Sequence, residues 1–213
     1  PSFNNAETVK PFIQAVTSGL RQAFPSASVL LVNQDAGSQD GTPELMKVAV
    51  EERFPIALLT RTPPGGGGME SLPRLSGGWP NGREEAFHSF LSATKLAQAA
   101  ACAVIDPGVR SVTPDWIAWL LGPIMESRAE YVAPLFLRPR YEGSLTNMLV
   151  YPLNRALYGT AMRYHAGGGC GISGALAGLF LEQPFWDERS LRLTLDACLT
   201  TVAVAERRSL CQA

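Results

Sequence analysis

A chain of 213 residues, 46% hydrophobic, is long enough to bury a full core and too apolar for a disordered, collagen-like or coiled-coil protein. Its 18 Lys and Arg against 19 Asp and Glu leave a formal net charge of -1, so no global field draws in a polyanion and nucleic acid is not expected as a partner. The longest apolar runs, around Trp116 to Met125 and Leu199 to Ala205, fall short of the ~20 residues needed to cross a bilayer, so no membrane span is expected.

Cys102, Cys170, Cys198 and Cys211 lie far apart with no C-x-x-C spacing, which reads as reduced, mostly buried thiols. With only His88 and His165 in the chain, a His/Cys zinc site is not expected. No charged-then-apolar leader opens the sequence, and a cytoplasmic protein is expected. Pro1 stands in what reads as the end of a strand, which predicts residues missing at one or both ends.

The first helix places Val9, Phe12, Ile13, Val16 and Leu20 on one face, with Pro11 tolerated if Glu7 or Thr8 caps it. A strand follows over residues 28–33, and the turn Asp35 to Gly41 then lies between strand end and helix start, where α/β sheets bind ligands. Thr42-Pro43 reads as N-cap and N1 of the next helix, with Leu45, Val48 and Ala49 facing inward. Asp40 reads as a cap of that helix or as a ligand contact.

A strand over 55–60 leads to a glycine-rich loop from Thr62 to Gly82, a lid or a disordered stretch by its length, or a substrate contact. A helix from Arg83 then carries Ala86, Phe87, Phe90, Leu91 and Thr94 toward the core, and His88 reads as a half-exposed structural residue. The strand over 101–106 runs straight into Asp106. A carboxylate there suits a metal or a diphosphate, or caps the following turn.

A helix from Thr113 bears Trp116, Trp119, Leu120 and Ile124, a stripe that fits the core or the face of a homodimer. A strand over 130–136 precedes an apolar helix around Leu145 to Tyr158, interrupted by Pro152. The glycines between Ala166 and Gly174 suit either close approach of backbone to a ligand or a plain turn. A last helix covers about Asp196 to Glu206. Strands alternating with helices predict an α/β fold with a Rossmann-like, mostly parallel sheet and helices on both faces.

Several segments, in order, resemble one family. Ser2-Phe3-Asn4-Asn5-Ala6-Glu7-Thr8 and Asp35-Ala36-Gly37-Ser38-Gln39-Asp40-Gly41-Thr42 resemble the nucleotide-pocket segments of family 2-like glycosyltransferases. Asp106 through Trp116 is similar to the Asp-Ala-Asp-Leu-Arg-Ser-Ile-Thr-Pro-Glu-Trp pattern of the branch containing glucosyl-3-phosphoglycerate synthases and mannosylglycerate synthases. Glu142 through Gly159 resembles that branch over a longer stretch, Arg163 to Ser173 resembles its acceptor loop, and Asp196 through Thr201 its Asp-x-x-x-Thr-Thr helix.

The resemblance implies a single GT-A domain over residues 1–213, with a nucleotide-sugar half over 1–112 and an acceptor half over 113–213. It implies transfer of a sugar, with retention, from a nucleotide-diphosphate donor to a small hydroxyl acceptor such as glycerate or phosphoglycerate, with Mg2+ or Mn2+ as cofactor. Ser2, Phe3, Asn5, Asp35, Ser38, Arg83 and Asp106 would bind the donor. Asp106 would also be the metal ligand and, with Asp196, a catalytic residue, although Asp196 equally reads as a cap of the last helix; Asn147, Arg163, Gly168, Gly169 and Ser173 would bind the acceptor.

Arg138 and Arg140 share with Arg163 the choice between an acceptor phosphate and solvent. The chain departs from the family at Gly108, where the second metal acid would stand, and at Gly169, the acidic position of the acceptor loop. Neither histidine matches the family's late ligand. A catalytically degenerate nucleotide-sugar-binding protein or fragment of the same fold is the alternative.

Overall fold

The computed structural model describes residues 2–35, 38–49, 56–60, 82–136, 143–144, 146–159, 161–163, 168–187 and 195–213. The expected glycine-rich loop, Arg138, Arg140 and His165 lie outside them.

Helix α1 (Ala6–Ala23) turns Val9, Ile13, Val16 and Leu20 inward, at the spacing the sequence shows. It starts at Ala6, so neither Glu7 nor Thr8 caps it and Pro11 sits inside the helix instead of in its first turn. Strand β1 (Leu31–Asp35) begins later than expected and carries Asp35 as its last residue. Helix α2 (Thr42–Ala49) buries Met46 against Val9 and Ile13. Leu45 and Val48, expected inside, are exposed at 40% and 85%; among the described side chains α2 buries Thr42 and Met46, and the side chain of Ala49 lies outside them.

Strand β2 (Ile56–Thr60) pairs in parallel with β1, Leu31 opposite Ile56 and Asp35 opposite Thr60. Helix α3 (Gly82–Leu96) buries Ala86, Phe87, Leu91 and Thr94 and feeds β3 (Ala101–Ile105). Helix α4 (Asp115–Met125) buries Trp116, Leu120 and Ile124 and leaves Trp119 half exposed. Strand β4 (Tyr131–Ala133) stops at Pro134, which has no N–H to extend a ladder.

A wide π turn at Thr146–Val150 runs into α5 (Tyr151–Tyr158), where Pro152 falls in the first turn. Its apolar residues Met148, Leu149, Leu153 and Leu157 are exposed. The glycine-dense segment, for which the sequence left a ligand approach or a plain turn open, forms a strand, β5 (Gly169–Ser173), which Ser173 ends by capping α6 (Gly174–Leu181) through the Leu176 N–H at 3.1 Å. Helix α7 (Leu195–Ala205) and β6 (Leu210–Gln212) close the described chain.

The expectation of a mostly parallel sheet is corrected here. Among the described residues one pair, β1 and β2, is parallel, and a second sheet of order β3-β5-β4-β6 is mixed. Strand β5 runs antiparallel to both β3 and β4, and only β4 with β6 is parallel within that sheet. The insertion of β5 is what reverses the sense. Its glycines are the physical reason it packs there: a Cβ on Gly171 would stand 2.2 Å from the Leu120 carbonyl oxygen of α4.

Both faces of the mixed sheet are covered. Phe87 and Leu91 of α3, Leu176 and Phe180 of α6, and Leu199 of α7 cover the Cys102, Tyr131 and Ile172 face, while Trp116, Leu120 and Ile124 of α4 cover Val132. Strand β3 comes from the first half of the chain and β5 from the second, so one sheet joins the two. The carboxyl ends of β1 and β3 are left at one edge of these layers.

Candidate functional site

Strand β1 delivers Asp35 to its carboxyl end, where the carboxylate is buried. Oδ1 accepts the Ser2 hydroxyl at 3.1 Å and the Ser38 hydroxyl at 2.5 Å, and Oδ2 accepts the Ser38 N–H at 2.8 Å. The Asn33 amide donates to Ser2 Oγ at 3.0 Å, and the Ser2 N–H donates to the Gln34 carbonyl at 2.9 Å. Burying a carboxylate is costly unless such donors satisfy its oxygens, so Asp35 organises this corner.

The loop before α1 is stapled to the loop before α2. Asn4 N–H donates to Ser38 Oγ at 2.9 Å, Gln39 N–H to Asn4 Oδ1 at 3.1 Å, and Asn5 N–H to Thr42 Oγ1 at 2.8 Å. Asp40 accepts the Ala6 N–H at 2.9 Å and both the hydroxyl and the N–H of Thr42, at 2.5 and 3.1 Å. The Thr42 hydroxyl first, and then the Ala6 N–H, hold the Asp40 carboxyl below its ordinary value. Asp40 therefore caps helix starts. Phe3, 59% exposed, stands on the rim with its ring to solvent.

Strand β3 ends at Ile105, and Asp106 follows in a tight turn. Its N–H donates to the Gly168 carbonyl at 2.8 Å, and its Oδ1 accepts the Gly108 N–H at 2.7 Å. A Cβ placed on Gly108 would lie 3.1 Å from Asp106 Oδ1 and 4.0 Å from Asn5 Nδ2, so this turn abuts the stapled loops. Ser2, Asn5, Asp35, Ser38, Asp106 and Gly168 thus gather at the carboxyl ends of β1 and β3. Open α/β sheets bind ligands at such a place.

Among the described residues there is no group of three or more His, Cys, Asp or Glu that could hold a metal. Asp106 is exposed, one of its oxygens is engaged by Gly108, and no carboxylate stands at 108. Among the described residues that donor set amounts to one protein ligand. It suits one ligand to a hydrated divalent ion whose other contacts come from a diphosphate.

The remaining expected residues are scattered more widely. Arg83 lies in the first turn of α3 and Asp196 in the first turn of α7, with side chains outside the described set. Gly169 pairs with Ile105, next to Asp106, where a Cβ would stand 2.4 Å from the Val104 carbonyl oxygen. Ser173 pairs with Ala101 at the other end of β5 and caps α6, about 14 Å away along the strand. Asn147 is exposed in the π turn.

Arg163 is exposed, with its backbone N–H on Gln212 Oε1 at 2.9 Å and its guanidinium 5.8 Å from the centre of the Tyr151 ring. Arg155 donates to the same tyrosine's hydroxyl at 3.1 Å. Sequence reasoning missed Arg155. The Tyr151 and Arg155 spacing of four on a helix was the available signal. His88 packs edge-on to the Trp186 ring at 5.0 Å, a structural contact.

No protein-family model matches the chain, and no curated protein matches it in sequence. Solved structures are similar. Glucosyl-3-phosphoglycerate synthase from Mycobacterium tuberculosis, in complex with Mn2+, uridine diphosphate and phosphoglyceric acid, superimposes on 100% of the chain with a TM-score of 0.67 and 18% identity. A mycobacterial protein matches 92% of the chain with a TM-score of 0.60 and 21% identity. The chain spans 65% of the length of the first and 61% of the second. No helix among the described residues is long and apolar enough to cross a membrane. The chain has the α/β fold of the glucosyl-3-phosphoglycerate synthase structures, a GT-A glycosyltransferase fold, over its full length.

Proposed function

We propose that this chain binds a nucleotide-diphosphate sugar across the carboxyl ends of β1 and β3 and passes the sugar to a small hydroxyl acceptor such as glycerate or phosphoglycerate. The observation that carries the reading is the hydrogen-bonded web of Ser2, Asp35 and Ser38 with Asp106 beside it. It occurs on a fold whose solved examples include one with Mn2+, UDP-glucose and phosphoglyceric acid.

Breaking the sugar's bond to a diphosphate leaves negative charge on the departing phosphates, and the site must meet that charge. A divalent ion bound with the donor would neutralise it, with Asp106 as the protein ligand. Asp35 acts through Ser2 and Ser38, fixing the loop on which Phe3 and Asn5 meet base and ribose. Arg110, exposed four residues beyond Asp106, adds positive charge to this mouth. The paired Arg155 and Arg163 on Tyr151 suit an acceptor carrying a carboxylate or phosphate.

A second reading, donor binding without transfer, is favoured by the glycine at 108 beside a lone carboxylate. Calorimetry with UDP-, GDP- and ADP-glucose in Mn2+ or Mg2+, followed by transfer assays to glycerate and phosphoglycerate, separates the two. Saturable binding with metal-dependent transfer that Asp106→Ala abolishes supports the enzyme. Binding with equal background rates in both proteins leaves the second reading, and no saturable binding removes both.

A further inference from the structure

Strand β5 runs antiparallel to β3 and to β4, and β6 runs parallel to β4, so β3 and β6 point the same way. Gln212, which ends β6, therefore stands at the same carboxyl edge as Asp106, three strand spacings or about 14 Å across the order β3-β5-β4-β6. Its backbone is firmly held. It pairs with Ala133, Ala213 N–H donates to the Ala133 carbonyl at 3.1 Å, and Leu135 N–H donates to the Ala213 carbonyl at 2.7 Å.

The two ends of the Gln212 amide are treated unequally. Oε1 accepts the Arg163 N–H at 2.9 Å, and this sets the orientation of the amide, because an N–H must face the oxygen. Nε2 is buried and, among the described residues, has no hydrogen-bond partner. A buried amide donor left unsatisfied costs stability, whereas an apolar side chain of the same length would not. Arg163 is exposed, so water could satisfy its N–H without Gln212. Folding alone therefore gives no reason for a glutamine at this position.

What the bond does is place Arg163. Residues 161–163 lie between α5 and β5, and among the described residues they make no other hydrogen bond. Met162, 4% exposed, pins one side of this stretch in the core, and the Arg163 guanidinium sits 5.8 Å from the centre of the Tyr151 ring, whose hydroxyl takes Arg155. The geometry points to Gln212 as the positioning residue of this arginine pair: its amide oxygen fixes the Arg163 backbone so that the guanidinium is in place before an anionic acceptor arrives. Ordering a long side chain in advance removes a cost that binding would otherwise carry. The inference rests on the proposed assignment of Arg155 and Arg163 to the acceptor.

Gln212→Met keeps the length of the side chain and removes both amide groups. The test measures phosphoglycerate binding by calorimetry in saturating UDP and Mn2+, and urea denaturation, on the parent, Gln212→Met, Arg163→Ala and the double variant. Gln212→Met should weaken phosphoglycerate binding about five- to tenfold, with UDP binding as in the parent. Its urea midpoint should be equal or higher, since the unsatisfied donor is gone. The double variant should bind no more weakly than Arg163→Ala alone, because Gln212 acts through Arg163. A lowered urea midpoint in Gln212→Met would assign the amide to folding and overturn the inference, as would unchanged affinity or losses that add in the double variant. Binding weakened by Arg163→Ala but not by Gln212→Met sinks this inference alone. Binding unchanged by Arg163→Ala, or absent from the parent, sinks the acceptor assignment and this inference with it.

Discussion

Oδ1 of Asp106 accepts the backbone N–H of Gly108 at 2.7 Å, so the carboxylate proposed as the metal ligand also closes its own turn. A side chain at 108 would start 3.1 Å from that oxygen. Gly108→Asp therefore puts a second carboxylate on the same turn, where two oxygens of like charge attract a divalent ion strongly. Mn2+ affinity measured by calorimetry should rise about tenfold or more. Unchanged affinity would show that this turn is not where the ion binds.

Asp40 offers a test of the stapled loops. Thr42 and Ala6 hold its carboxyl below the ordinary value of 3.8, so its contribution to stability is present above that pH and is lost as pH falls through the lower folded value. Asp40→Asn should lower the urea midpoint at neutral pH. The gap between variant and parent should then narrow below pH 3.8 and vanish once the parent carboxyl is protonated. A gap independent of pH would mean that the charge plays no part in capping.

The legible parts were those where one period dominated. Val9, Ile13, Val16 and Leu20 mark the buried face of α1, and the apolar run before Asp106 marks β3. Strand β5 was hidden because glycines as dense as Gly169 and Gly171 suit turns, whereas here their missing side chains let β3 and α4 come close. The inward side of α2 was misread because its buried positions among the described side chains are Thr42 and Met46, and Val48 belongs to solvent. At the candidate site, the short polar motifs marked the turns that carry Asp35 and Asp106, whereas the pairing of Arg155 with Tyr151, four residues apart on α5, was carried by a spacing that the interruption at Pro152 obscured.

Gly171 and Gly178 make opposite predictions for the same substitution. A methyl on Gly171 would stand 2.2 Å from the Leu120 carbonyl oxygen, a backbone atom that cannot turn aside. Gly171→Ala should cost about 1–3 kcal/mol through overpacking. Gly178 lies inside α6 with nothing within 4 Å of its new methyl, so Gly178→Ala should add about 0.5–1 kcal/mol by removing backbone freedom. Urea denaturation of both variants checks the pair, and equal signs would contradict the packing of α4 on β5.

Burial pushes the Cys102 thiol up to about 12, with a contact from Thr94 pulling weakly the other way. Since the folded value lies above the ordinary 9.0, the thiol's contribution to stability is complete below pH 9.0 and drains away as pH rises toward 12. Cys102→Ala should lose less stability between pH 8 and 11 than the parent does, whatever its starting stability. In native protein at pH 8, thiol reagents should reach the half-buried Cys198 and Cys211 before the buried Cys102 and Cys170.

Arg155 and Arg163 approach Tyr151 from its hydroxyl and its face, and both guanidinium groups are otherwise open to solvent. If they receive the acceptor, they do so through charge-assisted hydrogen bonds, each worth about 1.5–3 kcal/mol. Arg155→Ala and Arg163→Ala should each raise KM for phosphoglycerate by about 10- to 100-fold and leave donor binding intact. Glycerate lacks the phosphate, so for it the increase should be smaller by the share the phosphate contributes. Equal losses with both acceptors would assign the arginines to the carboxylate that the two share. Unchanged KM with both would take this cluster out of the acceptor site and leave Arg155 as a surface partner of Tyr151.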